Sequence, residues 1–265
     1  MTNGPLKIES DGEIEIVSLD RPDKLNTFDE PLTFAVRDYF AALAERKEVR
    51  AVVLRAEGRA FCAGLDLGGW QNDGSIGTLQ HFWRLQRSLA GILELMRACP
   101  QPIVGLGHGA ACGMGFSLLL ACDVRIGAPD LKMNAAYIKV GLGGCDLGCS
   151  YFLPRLVGAS VASEYMLTGK FMSAEKALAC GLLSDIVEPD GLLDAGLEMT
   201  RAMTVNGPMG LRMTKDAINR NLDARSLSDA IALEDRQQVM MLMSEDFAEA
   251  VAAFAEKRAP DYKDR

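Results

Sequence analysis

The chain has 265 residues, 28 Lys and Arg against 36 Asp and Glu, a formal charge of −8, and 49% hydrophobic residues. At this size folding buries roughly three-quarters of the surface that the unfolded chain exposes, so a full core forms without disulfide or metal staples. The acidic balance, with a sequence pI near 4.9, argues against nucleic acid, because binding a phosphate backbone needs a Lys/Arg-rich face that releases counterions.

In chain order, Ile14, Ile16 and Leu19 predict a strand broken at Arg21-Pro22-Asp23. Asp29-Glu30-Pro31 marks a helix start, and Leu32, Ala35, Val36, Tyr39, Phe40 and Leu43 recur at helical spacing up to Arg46. Ala51 to Leu54 reads as a buried strand, followed by a glycine-rich loop from Gly58 to Gly69. Thr78 to Cys99 is an amphipathic helix ended by two prolines, Ile103-Val104 resumes a strand, a short helix follows Gly115, and Val124 to Ile126 is a further strand. Strand and helix alternate, the mark of an α/β fold. Leu131 to Gly148 lacks periodicity, and so long a connection inside a compact domain suits a functional role. Helices are then expected over 160–167, 173–180, 190–205, 208–222 and 227–257. The expected organisation is an α/β core over residues 1–190 and a helical region over 191–265. Met240, Met241 and Met243 are expected to fill core or subunit contacts.

Seven cysteines, no C-x-x-C pair and only two histidines, His81 and His108, make a Cys/His zinc site unexpected. With no signal-like opening, a reduced cytoplasmic setting is the simplest reading of those thiols. The longest uncharged stretch, Ala98 to Cys122, contains Pro100, Pro102, His108 and five glycines, so it reads as a buried strand, loop and helix rather than a membrane span.

Two glycine-rich passages follow buried strands: Phe61-Cys62-Ala63-Gly64-Leu65-Asp66-Leu67, and Gly109 to Leu118 closing with Ala121-Cys122-Asp123. Backbone N–H groups freed by such turns, above all at the first turn of a helix, are fixed donors for negative charge. Two of them from different loops make an oxyanion hole, whereas the alternative reading is tight turns and close packing. These passages, the run Leu19 to Asn26, Leu167-Thr168-Gly169 with Ala174 to Ala177 and Gly181 to Leu183, and the terminal Phe254 to Pro260 together resemble the crotonase superfamily, the enoyl-CoA hydratase/isomerase family. The resemblance spans nearly the whole chain in the right order.

The resemblance implies a spiral of repeated ββα units and a helical C-terminal trimerisation region, in trimers that often pair as hexamers. It implies an acyl-CoA substrate whose thioester carbonyl is polarised by the N–H groups of Leu65 and Met114, with coenzyme A brought in as part of the substrate and no separate cofactor or metal. Met114 stands where the family usually has glycine. Lys24, Leu25, Ala63, Asp66 and Leu67 would lie along the coenzyme A moiety, with Lys257 supplied by a neighbouring subunit; either lysine alone also reads as a solvated surface charge.

Hydratases of the family carry two glutamates, and the matching positions here are Ser117 and Tyr137. A serine without a nearby histidine is a poor base, and a buried tyrosine stays protonated near neutrality, so both also read as structural residues. One acid remains in the irregular segment, Asp146. Some related dienoyl-CoA isomerases and a chlorobenzoyl-CoA dehalogenase have a functional aspartate at or next to this place. Asp146 reads either as a proton shuttle or as the cap of a helix that begins near Gly148. One carboxylate with an oxyanion hole suits moving a double bond better than hydration, and it also suits hydrolysis or aromatic displacement.

Three further readings stay open or fall away. A non-catalytic acyl-CoA-binding or assembly protein that kept the fold and lost its glutamates is the alternative to an enzyme. Gly105-Leu106-Gly107-His108-Gly109-Ala110 satisfies G-x-G-x-x-A, but no helix starts cleanly after Ala110, so a dinucleotide site is disfavoured. Cys145 and Cys149 lack a partner histidine in the segment and read as packing or incidental thiols. The loop from Gly68 to Gly77 with Trp70, and the helix bearing His81, Phe82 and Trp83, are expected to shape the acyl pocket.

Overall fold

The structure is a computed structural model that describes residues 4–70, 72 and 74–265. Strands β1 (Leu6–Asp11) and β2 (Ile14–Leu19) form an antiparallel hairpin. The turn needs a left-handed residue, and Gly12 supplies it at φ +63°. Helix α1 (Glu30–Leu43) follows, its N-cap Asp29 accepting from the Leu32 N–H at 3.1 Å with Pro31 in the first turn. Then come β3 (Ala51–Ala56), α2 (Thr78–Ala98), β4 (Ile103–Gly107), β5 (Ala110–Cys112), α3 (Met114–Ala121), β6 (Val124–Gly127) and β7 (Lys132–Asn134). The remainder holds α4 (Cys149–Val157), α5 (Ala159–Thr168), β8 (Met172–Ser173), α6 (Ala174–Ala179), β9 (Asp185–Ile186), and α7 (Leu192–Thr204) to α8 (Pro208–Asn221), α9 (Leu227–Leu242) and α10 (Glu245–Glu256).

The main sheet has the order β1-β2-β3-β4-β6-β9, parallel throughout except for the first pair. A smaller sheet orders β5-β7-β8 and is extended by single parallel bridges, Cys62 to Ala111 and Leu65 to Phe28. Each turn of the chain therefore lays one strand in the main sheet, one short extended piece in the second layer and one helix outside. The expected ββα spiral is this arrangement.

Side-chain parity along the strands makes two cores. Ile14, Ile16, Ala51, Val53, Val104 and Leu106 face α7, whose Leu192 and Leu197 cover them. Val17, Leu19, Val52, Leu54 and Ile103 face the other way, into a larger core with α1, α2 and α3. Although α7 lies beyond residue 190, it covers one face of the sheet, and Gly196 permits this because a Cβ there would come within 2.8 Å of Leu106 Cδ1. Gly105 and Gly107 serve packing in the same way, with Leu119 of α3 at 3.1 Å from a Cβ built on either. That contact accounts for the first two glycines of the G-x-G-x-x-A match.

The C-terminal helices depart from expectation at one point. Instead of one helix over 227–257, α9 ends at Leu242 with Met243 as its C-cap, and Ser244 starts α10 by accepting from the Phe247 N–H at 3.1 Å. Met240 and Met243 are exposed on this chain rather than in its core. Among the described residues, no helix is long and apolar enough to cross a membrane, and no group of three or more His, Cys, Asp or Glu is placed to hold a metal ion.

Candidate active site

The two glycine-rich passages lie side by side, joined by backbone hydrogen bonds. Phe61 N–H donates to His108 O at 3.0 Å, Cys62 N–H to Ala110 O at 3.0 Å, and Cys112 N–H to Cys62 O at 2.9 Å. On its other side the first loop holds residues 25–28: Phe28 N–H donates to Gly64 O at 2.8 Å and Asp66 N–H to Phe28 O at 2.9 Å. The fit requires glycine at 115, where a Cβ would stand 2.3 Å from the Cys62 carbonyl oxygen. Within this frame neither the Leu65 N–H nor the Met114 N–H has a hydrogen-bond acceptor among the described residues. Met114 is the first residue of α3, so its N–H lies outside the helical ladder at the positive end of the helix.

Ser117 and Tyr137 meet directly. Ser117 Oγ and Tyr137 Oη are 2.5 Å apart, and the Tyr137 hydroxyl donates to Gly113 O at 2.7 Å. The phenol proton serves the carbonyl, so the Ser117 hydroxyl donates to the tyrosine oxygen. Both side chains are buried. Burial holds the Tyr137 phenol well above its usual range, helped by the nearby Cys149 and Asp146 and opposed by the Ser117 hydrogen bond. Neither group is a base at neutral pH.

Asp146 is half-buried in the connection before α4. Its Oδ1 accepts from Gln86 Nε2 at 2.5 Å and from the Leu147 N–H at 2.7 Å. The capping reading fails on geometry: Gly148 is the N-cap of α4 and no side chain caps the helix. Only the Asp146 backbone carbonyl engages that turn, accepting from Cys149 N–H at 2.8 Å. The carboxylate is instead held by α2, and it lies near enough to Tyr137 to act on its phenol through space.

Of the residues expected along coenzyme A, five come together. Ala63 N–H donates to Leu25 O at 3.0 Å, Lys24 and Leu67 are exposed beside them, and Asp66 lies 3.9 Å from Arg21 Nη2. Leu25 and Asn26 both have left-handed backbones, at φ 50° and 54°. Asn26 makes this possible: fully buried, it accepts from Arg21 N–H at 2.8 Å and donates to Glu57 O and Ala60 O, both at 2.9 Å. Lys257 caps α10 in a left-handed conformation, and no ion pair or hydrogen bond joins it to this group among the described residues.

The sequence profile of the enoyl-CoA hydratase/isomerase family matches residues 9–265. The chain belongs to the enoyl-CoA hydratase/isomerase family. It is 35% identical over 262 residues to a Mycobacterium tuberculosis protein named "Probable enoyl-CoA hydratase", covering 95% of this chain and 90% of that one. It is 29% identical over 246 residues to the 1,2-epoxyphenylacetyl-CoA isomerase of Escherichia coli, covering 93% of each. The crystal structure of an enoyl-CoA hydratase from Bacillus anthracis superposes with a TM-score of 0.92 at 27% identity, covering 98% of this chain and 100% of that one. The fold is the crotonase fold, and the chain is an enzyme of the hydratase/isomerase type.

Within this family frame, two polar residues escaped the sequence reading. Gln86 shows no signal, since its partner Asp146 is 60 positions away. Arg21 was read as part of the strand break and of the run Leu19 to Asn26, with no partner assigned, yet its Nη2 lies 2.7 Å from Asp29 and spans towards Asp66. A cavity of about 970 Å³ is lined by Trp70, His81 and Trp83 together with Phe34, Arg37 and Arg84. Trp70 hangs its Nε1–H on Phe28 O at 3.0 Å, which places the cavity beside the Leu65 loop. Phe82 is exposed and does not line it, and residues 71 and 73 of the expected pocket loop lie outside the described residues. Burial pushes the Cys62 and Cys149 thiols up to about 12 and Cys112 to about 11, so these three are poor nucleophiles at neutral pH.

Proposed function

We propose that this protein binds an acyl-CoA and stabilises the enolate of its thioester between the Leu65 and Met114 N–H groups, with Asp146 as its acid/base. The observation that carries the reading is the pair of unpartnered N–H groups on loops locked to each other. An enolate oxygen placed there gains two fixed donors and the positive end of α3 without reorganisation. Met114 in place of glycine leaves the N–H donor intact.

The reaction follows from the bases available. Ser117 and Tyr137 are spent on each other and on Gly113 O, which leaves Asp146 to remove a proton beside the thioester and return it elsewhere. Double-bond migration needs no more than that, whereas hydration also needs an activated water. Lys24, Leu25, Ala63, Asp66 and Leu67 would lie along the coenzyme A moiety, with Lys257 reaching it from another subunit. The outward apolar side chains of α9, α10 and the joint between them, led by Phe254 at 88% exposure and Met243 at 84%, fit burial against further copies in a trimer or hexamer.

The test is a spectroscopic assay with crotonyl-CoA and a 3-enoyl-CoA, followed by α-proton exchange in deuterated water. Exchange or migration without hydration supports the single-carboxylate reading, and hydration of crotonyl-CoA at an ordinary enzymatic rate sinks it. Asp146→Asn is expected to lower turnover by about 10²–10⁴-fold with unchanged CoA-ester affinity; unchanged turnover removes Asp146 as the acid. The base-free Ser117–Tyr137 pair also suits a protein that binds acyl-CoA without turning it over, and tight CoA-ester binding with neither exchange nor migration would select that second reading.

A further inference from the structure

The Gly113 carbonyl and the Met114 N–H belong to one peptide group. Because that group is planar and trans, whatever fixes the direction of the carbonyl fixes the N–H on its opposite side. Gly113 has φ 52° and ψ −113°, a conformation open to glycine and closed to ordinary L-residues, so the chain itself does little to select this orientation. Two hydrogen bonds to its carbonyl select it: Gly113 O accepts from Ser117 N–H at 2.9 Å and from the Tyr137 hydroxyl at 2.7 Å, while Gly113 N–H, part of the preceding peptide, anchors that side by donating to Asn134 O at 3.1 Å. The Tyr137 ring also lies against this residue, 3.4 Å from where a Cβ on Gly113 would be.

We propose that Tyr137 is a positioning residue for the oxyanion site: its hydroxyl, by bonding to Gly113 O, orients the Gly113–Met114 peptide and polarises it so that the Met114 N–H is a stronger donor. The inference rests on the reading of Leu65 and Met114 as oxyanion donors. A donor at the carbonyl draws electron density onto oxygen and leaves the N–H of the same amide more positive. Ser117 extends the relay by donating to the phenol oxygen, which strengthens the phenol as a donor in turn. The burial of Tyr137 keeps the proton that this relay requires. Two positions that hold glutamates in the family's hydratases would here tune the hole instead of moving protons.

The experiment is difference infrared spectroscopy of butyryl-CoA, labelled with carbon-13 at its carbonyl, bound to the wild-type protein, to Tyr137→Phe, and to protein carrying a ring-fluorinated tyrosine at position 137. The wild type is expected to shift the thioester carbonyl band below that of the free ester. Tyr137→Phe should give back about 10–30% of that shift at ester affinity within about twofold of wild type. It should slow α-proton exchange about threefold to tenfold, less than the ~10²-fold cost of losing an oxyanion donor outright. The fluorinated phenol, a stronger donor that keeps the hydroxyl and the packing, should move the band further down, an effect no merely structural role produces. Bands that coincide in all three proteins overturn the inference while a wild-type shift leaves the oxyanion reading standing. Bound ester with no shift in the wild type overturns both.

Discussion

All eight residues of α3 are buried, whereas of the sixteen in α9 only Gln237 is. α3 is enclosed by the sheet on one side and by α2 and α4 on the other, so an apolar residue at any position finds contacts within the chain. In α9, α10 and the joint between them, by contrast, Leu227, Val239, Met243, Val251 and Phe254 point outward. The first helix carries a donor of the candidate site and its environment is complete in one chain; the second pair leaves apolar surface that this chain does not cover. The proposed assembly would thus divide fold stability and subunit contact between separate helices.

Three substitutions test that separation. Phe116→Ala, which empties a fully buried position of α3, should cost about 3–5 kcal/mol, read as a lower denaturant midpoint at unchanged slope. Lys215→Met acts on the joint between the two regions. The buried Lys215 of α8 lies 2.9 Å from Asp123 and donates to Gln101 O at 2.7 Å. Asp123 keeps Arg97 at 3.2 Å and the Ile103 N–H at 2.8 Å, so the loss should be about 2–3 kcal/mol, with faster hydrogen exchange in α8 to α10 than in α3. Phe254→Ala should leave the stability of the separated chain within about 0.5 kcal/mol of wild type, yet shift sedimentation towards smaller species at a given concentration. A stability loss from Phe254→Ala as large as that from Phe116→Ala would break the comparison.

The sequence was most informative where local chemistry is strong. Asp29-Glu30-Pro31 announced α1 because a capping carboxylate and a first-turn proline act within four residues. β1 escaped because an edge strand carrying Lys7, Glu9 and Ser10 among its few apolar residues shows little apolar alternation. β7, β8 and β9 are two or three residues long, too short for any period to appear. The break between α9 and α10 lay in one serine cap inside a continuous helical pattern. At the site, the glycines that let two loops touch were legible one loop at a time, and so were positions 117 and 137. The hydrogen bond between those two, and the grip of Gln86 on Asp146, arise only when α2, α3 and the segment after β7 converge.

The closed Ser117–Tyr137 contact also limits how this chain can diverge. A glutamate placed at 117 alone would press a carboxylate against a buried phenol committed to Gly113 O. One placed at 137 alone would direct a carboxylate at the carbonyl oxygen to which the phenol now donates. Each single replacement disturbs a buried polar contact that the two side chains share, so the effects of separate mutations at 117 and 137 are expected not to add.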